Sequence, residues 1–493
     1  MFRSMYLASV AVLTVCWLRP LAAADWNQWR GPERNGVASE SPPLRTDLPP
    51  QGLQPVWVSE SIKSAGEGGW GSPVVANGRV YLFAHTREQV RDLEPPQFPP
   101  LTEEQQKQKT PEQLATYEAK RAAEEKSRRD LQFKYREFVH CFDAGTGEAL
   151  WTNRSDSLYT QFPQSGSPTV VDHRLYILGA GRRLRCIAAD SGEEVWATRL
   201  PGDFADQFFQ SSVSVIDGVI FAMADRLFGV DVTNGDILWE STSEQIGVNN
   251  SSPALWNRAA GNLIICNLDG GWTAGFESRT GHEVWRVKSE ASIATPVVHQ
   301  DRLITYGSTR KAGLRCFQLT PDGATESWVY HGIADNGGSP VVINDHAYVQ
   351  GSDRIACVNL DTGEATWTAT LDLHSPQYTS LVAADGKLVY AYESLICWEA
   401  DPDEFQLLYD GRFGKSHELA TLDQFRSQIK AANAEAAAAT EDEIEQQLTE
   451  LLGNPPLGCA SPAIADGRVY LRLRDCVACF DLRAPSAVAS SAE

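Results

Sequence analysis

The chain has 493 residues, 42% of them hydrophobic and 22% charged, enough for a large domain with a substantial core. Its formal net charge of −21 argues against nucleic acid and against anionic membrane surfaces as partners.

Residues 1–24 read as a secretory signal: Arg3, an apolar run from Met5 to Leu18, and Ala22-Ala23-Ala24 before Asp25. The run is too short to span a bilayer, and no later segment approaches one. Leu13 to Cys16 is a poor lipoprotein signal, because Val15 is bulky where a small residue is needed. The expectation is an exported chain, periplasmic or extracellular, without a transmembrane segment.

From Gly71 onward one phrase returns about every 43 residues. A small-residue/proline step opens an apolar strand, as in GSPVVANGRVYLF and GSPVVINDHAYVQ. An apolar-Asp segment and a tight turn ending on tryptophan follow, as in CFDAGTGEALW. The opening step falls at Ser72, Ser167, Ser212, Ser252, Thr295, Ser339, Ser380 and Ser461. The tryptophans are Trp151, Trp196, Trp239, Trp285, Trp328 and Trp367. Repeats of this length are copies of one supersecondary unit. Asn-Gly and Asp-Gly between the first two strands, and Thr-Gly or Asn-Gly before the tryptophan, are hairpin chemistry. Each unit therefore reads as a four-stranded antiparallel blade, with its tryptophan packed between neighbouring blades. The seventh copy has lost its turn and tryptophan near Ala400 to Tyr409. The eighth stops after CFDLRA without an outer strand, and LQPVWVSES, carrying Trp57, is the expected donor. Such closure removes exposed strand edges.

Two segments interrupt the repeat. Residues 87–137 contain a proline-rich stretch and then Thr110-Pro111-Glu112-Gln113, the start signals of a helix expected to reach about Arg136. Residues 415–456 are rich in alanine and glutamate and predict one helix or two, a second capped by Thr440. Both read as decoration, a docking arm or a lid. Residues 25–484 are thus expected to form a single propeller, with 485–493 as a disordered tail.

Nine cysteines follow the signal. Cys141, Cys186, Cys316, Cys357, Cys397 and Cys479 share one register, just before the apolar-Asp step. Equivalent positions in adjacent blades lie too far apart for disulfides, so they read as small buried residues. Cys476 and Cys479 form the one close pair, but residues three apart on a strand face opposite ways, and no metal site is expected.

The CIAADSGEEVW, CVNLDTGEATW and CFDAGTGEALW phrases resemble the tryptophan-docking repeat of the quinoprotein (PQQ-dependent dehydrogenase) superfamily. DWNQWRGPERNG from Asp25 resembles the arm preceding such propellers in exported PQQ-binding-like proteins. The resemblance spans nearly the whole chain after the signal, apart from the insertions. It implies an all-β fold: an eight-bladed β-propeller of the quinoprotein type, closed by an N-terminal strand, with two helical insertions. In the enzymes of this superfamily it implies PQQ with calcium held by acidic and amide side chains, and an aspartate base. The alcohol-oxidising branch adds an adjacent-cysteine disulfide. This chain has no Cys-Cys pair, and no acidic constellation matches the enzyme motif, so no catalytic or calcium-ligating residue is carried over. The superfamily also contains non-catalytic members, including a propeller of the outer-membrane barrel-assembly machinery.

In a propeller the loops entering the inner strands converge on the central channel. Here they carry Trp70, Gln164, Gln210, Asn249, Asn250, Asn336, Gln377 and Tyr378, six amides and two aromatics. Such a lining suits a neutral polar or planar ligand; it also suits the polar wall of a hydrated channel. Asp335 and His331 lie near the ring without forming a recognisable acid/base pair. No histidine falls in a nucleophile motif, so a hydrolase has no support. Three readings remain: a non-catalytic binding module for a protein or small polar ligand, with a monomer expected; a PQQ-dependent dehydrogenase with a diverged site; and an envelope or outer-membrane assembly scaffold.

Overall fold

A computed structural model describes residues 25–202, 210–243, 247, 250–433 and 440–485. The signal segment 1–24, Asn249 and residues 486–493 of the expected tail lie outside the described residues.

Eight sheets form the eight blades of the propeller, antiparallel except where Val37–Ala38 joins one of them in parallel. Blade 1 runs Val74–Ala76, Arg79–Gln89, Phe133–Asp143 and Ala149–Asp156, from the channel outward. Blades 2 to 6 repeat this order, and in blade 8 the outermost strand is Trp57–Val58, paired to Val477–Asp481. The expected closure by an N-terminal strand is therefore present. At the first hairpin Asn77 and Gly78 both have positive φ, 53° and 71°, the backbone a two-residue turn needs to follow strand twist.

Apolar side chains pack in layers between blades rather than in one central core. Tyr81 and Phe83 of blade 1, for example, meet Leu175 and Ile177 of blade 2. The tryptophans lie in these layers. Trp151 Nε1 donates to Ala189 O at 3.1 Å, and a Cβ on the turn residue Gly192 would stand 2.5 Å from the Trp151 ring. Trp57, Trp196, Trp328 and Trp367 also donate to a carbonyl of the following blade's third strand or its turn. The indole nitrogens of Trp239 and Trp285 have no partner.

The cysteine register has a structural reason. Cys141, Cys186, Cys316 and Cys357 pair directly across the ladder with Trp151, Trp196, Trp328 and Trp367; Cys479 pairs with Trp57 and Cys397 with Tyr409. In blades 3 and 4 the same position is Gly229 and Gly275, opposite Trp239 and Trp285. A residue facing the ring must be small, and all six of these thiols are free and buried.

The first insertion is narrower than its sequence suggests. Its helix spans Pro111–Gln132, because Phe133 already pairs with Gln89 and the ladder continues inward from there. None of that helix is buried. The second insertion makes two helices, Leu422–Ala432 and Glu441–Leu451, whose Phe425, Ile429, Ile444 and Leu448 form a small core of their own. Among the described residues no helix is long and apolar enough to cross a membrane.

Candidate functional site

The blades are stitched around the channel by the repeat's opening residue. At seven of the eight steps the backbone N–H donates to the hydroxyl of the next blade: Ser72 to Ser167, Ser167 to Ser212, Ser212 to Ser252, Thr295 to Ser339, Ser339 to Ser380, Ser380 to Ser461, and Ser461 back to Ser72. At Thr295 the hydroxyl instead accepts from Trp29 Nε1 at 3.0 Å.

Trp29 belongs to the N-terminal arm, which lies inside the ring. Trp26 bridges to Val75 of blade 1, Asn27 bonds Val170 of blade 2, and Val37–Ala38 pairs in parallel with Val382–Ala384 of blade 7. Arg34 Nε donates to Pro253 O at 2.8 Å, and its terminal nitrogens donate to Val213 O and Ser212 O. Arg30 donates to Ser339 O and Pro340 O. Both arginines are buried without an acidic partner, and burial pulls each guanidinium down to about 9, so both remain charged at neutral pH. Backbone carbonyls from three blades solvate these two cations. Sequence reasoning missed this plug, since carbonyl acceptors have no residue signature.

On the loop side the expected lining residues fall into two groups. Around blades 1 to 4, Trp70 N–H donates to Gln164 O, and Ser165 joins Gln210 Oε1 and Asn250 Oδ1, each at 3.1 Å from its hydroxyl. Gln210 is buried, holding Ser165 and Phe162 O. Gln164 is fully buried, and neither end of its amide has a partner. Around blades 6 and 7, exposed Asn336 donates to exposed Gln377 at 2.6 Å, and half-buried Tyr378 packs on Gly337. His331 is exposed and held by Arg310 O, away from any acid/base pairing.

Asp335 organises the second group. Its Oδ1 accepts the backbone N–H groups of Gly337 (2.8 Å), Gly338 and Tyr378 (3.1 Å). Its Oδ2 is buried and without a partner. Burial outweighs those donors and raises the Asp335 carboxyl above its ordinary range. Its charge in turn helps hold up the phenols of Tyr306, Tyr378, Tyr390 and Tyr392 and the thiol of Cys459, which burial pushes up to about 12. Sequence position had marked Asp335 and Tyr378, but Tyr306, Tyr390 and Tyr392 come from strands and loops of other blades and gave no signal.

The donor set does not fit the calcium that accompanies PQQ in the enzymes of the resembled superfamily. Calcium takes about six to eight oxygens, several of them carboxylate. Asp335 offers one free oxygen, and among the described residues no group of three metal-ligating side chains forms around it.

An eight-bladed propeller with this tryptophan repeat, its channel filled by its own N-terminal arm, is a propeller of the quinoprotein type. Residues 136–369 match the family described as outer membrane protein assembly factor BamB. The fold is that of a PQQ-like β-propeller. No curated protein matches it. A europium-containing methanol dehydrogenase aligns over 93% of this chain and 98% of its own, at 9% identity and a TM-score of 0.55. Quinohemoprotein alcohol dehydrogenase ADHIIG from Pseudomonas putida HK5 aligns over 95% of this chain and 82% of its own, at 10% identity and a TM-score of 0.53. BamB from Moraxella catarrhalis aligns over 71% and 89%, at 14% identity and a TM-score of 0.47. At such identities the two dehydrogenase alignments establish the fold alone.

Proposed function

We propose that this protein is an exported, non-catalytic binding propeller that takes a neutral polar ligand on the face around Asp335. The observation that carries the reading is the buried, unpartnered Asp335 Oδ2, ringed by tyrosines and flanked by the Asn336 and Gln377 amides. A buried carboxyl oxygen without a donor is costly, and a ligand hydroxyl or amide N–H relieves that cost. Among the described residues no group of three metal-ligating side chains forms at this site, which leaves calcium without a ligand set and disfavours the dehydrogenase alternative. A thermal-shift panel of neutral sugars, polyols and peptide amides tests the reading. A stabilising class whose effect disappears in Asp335→Ala, with the fold intact by circular dichroism, supports it. A ligand that stabilises wild type and Asp335→Ala equally defeats it.

A second reading, an envelope assembly scaffold, draws on the match of residues 136–369 to an outer membrane protein assembly factor and on the Pro111–Gln132 helix, whose 22 residues include none that is buried. The proline-rich stretch packs along one side of this helix, with Phe98 on Tyr117 and the Gln97 and Phe98 N–H groups on Glu124, and the remaining exposed, charged side suits docking to another protein. Deleting residues 90–132 and closing the hairpin at Gln89 and Phe133 should leave the melting curve of the propeller unchanged and abolish capture of the partner. Retained capture contradicts the arm's role.

A further inference from the structure

We propose that His417, Asp475 and Cys476 form a binding site for a zinc-like divalent metal that clamps the second insertion to the ring-closing blade.

Three stretches of chain meet at this point. The two ends of the second insertion pair with each other: Gly414 bridges Leu452, and Lys415 N–H donates to Leu451 O at 2.9 Å. That pairing places His417 beside Asn454. The continuing chain bridges from Pro456 to Leu473, at the hairpin of blade 8 that carries Asp475 and Cys476. The N-terminal segment that closes the ring also arrives here, since Ile62 N–H donates to Asp475 O at 2.6 Å.

Imidazole Nε2, thiol Sγ and a carboxylate oxygen of these residues all lie within 4.8 Å of one another. His417 Nε2 and Cys476 Sγ are 3.7 Å apart. A tetrahedral zinc with bonds of about 2.0 Å to nitrogen and about 2.3 Å to sulfur requires an edge of about 3.6 Å between them. The mixed nitrogen, sulfur and oxygen set suits zinc and disfavours calcium or magnesium, which take oxygen.

A second observation is independent of that spacing. Asn454 Nδ2 lies 2.8 Å from His417 Nε2, 2.5 Å from Asp475 Oδ1 and 3.5 Å from Cys476 Sγ. Imidazole, carboxylate and thiol thus converge on one point from separate stretches of chain, which is the arrangement a cation needs. Asn454 Oδ1 is held by the Arg474 N–H, so water completes the tetrahedron from the exposed Asp475 side. Cys476 differs here from Cys479, which faces Trp57 inside the blade. Metal binding releases the Cys476 thiol proton to solvent.

The test uses the full chain after export processing, stripped with chelator and titrated with Co²⁺ and then Zn²⁺. The proposal expects one equivalent of tetrahedral cobalt at micromolar concentration, with a thiolate-to-cobalt charge-transfer band that Zn²⁺ abolishes. Cys476→Ser should remove the charge-transfer band. His417→Gln should weaken zinc binding, measured against a chromophoric chelator, by at least about tenfold, since even outer-shell changes cost 10- to 100-fold. Asp475→Asn, at an exposed position, gives a variant whose folding is not at risk and should also weaken binding. No stoichiometric cobalt in wild type, or a thiolate band that survives in Cys476→Ser, overturns the proposal.

Discussion

The backbone N–H of Ser461 donates to the hydroxyl of Ser72 at 2.9 Å, joining the inner strand of the last blade to that of the first across 389 positions of sequence. On the outer side Trp57–Val58 completes the same blade, so the ring is closed twice, at its hub and at its rim. Removing residues 25–62 takes away the rim strand and the channel arm together. The expected outcome is a melting temperature lower by on the order of 10 °C or more, measured by circular dichroism. Ser72→Ala, which removes one hub hydroxyl, should cost only about 1 kcal/mol in denaturant unfolding.

Arg34 is the strongest single anchor of the arm. Replacing it with leucine leaves the buried carbonyls of Ser212 and Pro253 without donors, while Val213 O keeps the Thr169 hydroxyl. Each loss is worth about 1–3 kcal/mol, so Arg34→Leu should destabilise by at least about 2 kcal/mol in urea unfolding. Arg34→Lys should recover little of this, because an ammonium cannot reach three diverging carbonyls with a planar fork.

The docking tryptophans should not be equivalent. Trp328 Nε1 donates to Leu360 O at 2.7 Å, whereas Trp239 Nε1 has no acceptor. Trp328→Phe strands a carbonyl that Trp239→Phe does not, so its unfolding free energy should fall further, by about 1 kcal/mol. Equal losses would show that ring packing alone matters.

His85 gives the stability a pH dependence. It is buried, with Nε2 at 3.0 Å from Leu158 O, and burial pulls its imidazole down to about 4. Above the unfolded value of about 6.5 the ring is neutral in both states and contributes no pH term. Between about 6.5 and 4 the unfolded chain takes up a proton that the folded chain refuses, so stability falls as pH falls, by up to about 3 kcal/mol. His140, pulled down to about 4 by burial and by Arg472, acts in the same direction. Melting curves from pH 7 to 4 should show this slope, and His85→Gln should flatten it.

The blades and their closing strand were legible in the sequence because a tryptophan and a turn glycine recur at fixed offsets. The shared cysteine register was legible too, though its cause, a small residue opposite each docking ring, emerges only from the ladder pairing of Cys141 with Trp151. The arm's route was not, since Arg30 and Arg34 bind carbonyls that any residue supplies. The expected amide lining was read from loop positions, yet burial of Gln164 and Gln210 depends on how neighbouring loops stack. The cluster at His417 and Cys476 joins residues 59 apart, a spacing no local motif encodes.

Asp335 is where the account is most exposed. The most direct measurement is a dye-linked oxidation assay of the purified protein with PQQ, calcium and a range of alcohols and sugars, run beside Asp335→Asn. The account predicts no turnover above background in either protein. Turnover by wild type that disappears in Asp335→Asn would contradict it and make that carboxylate a catalytic base.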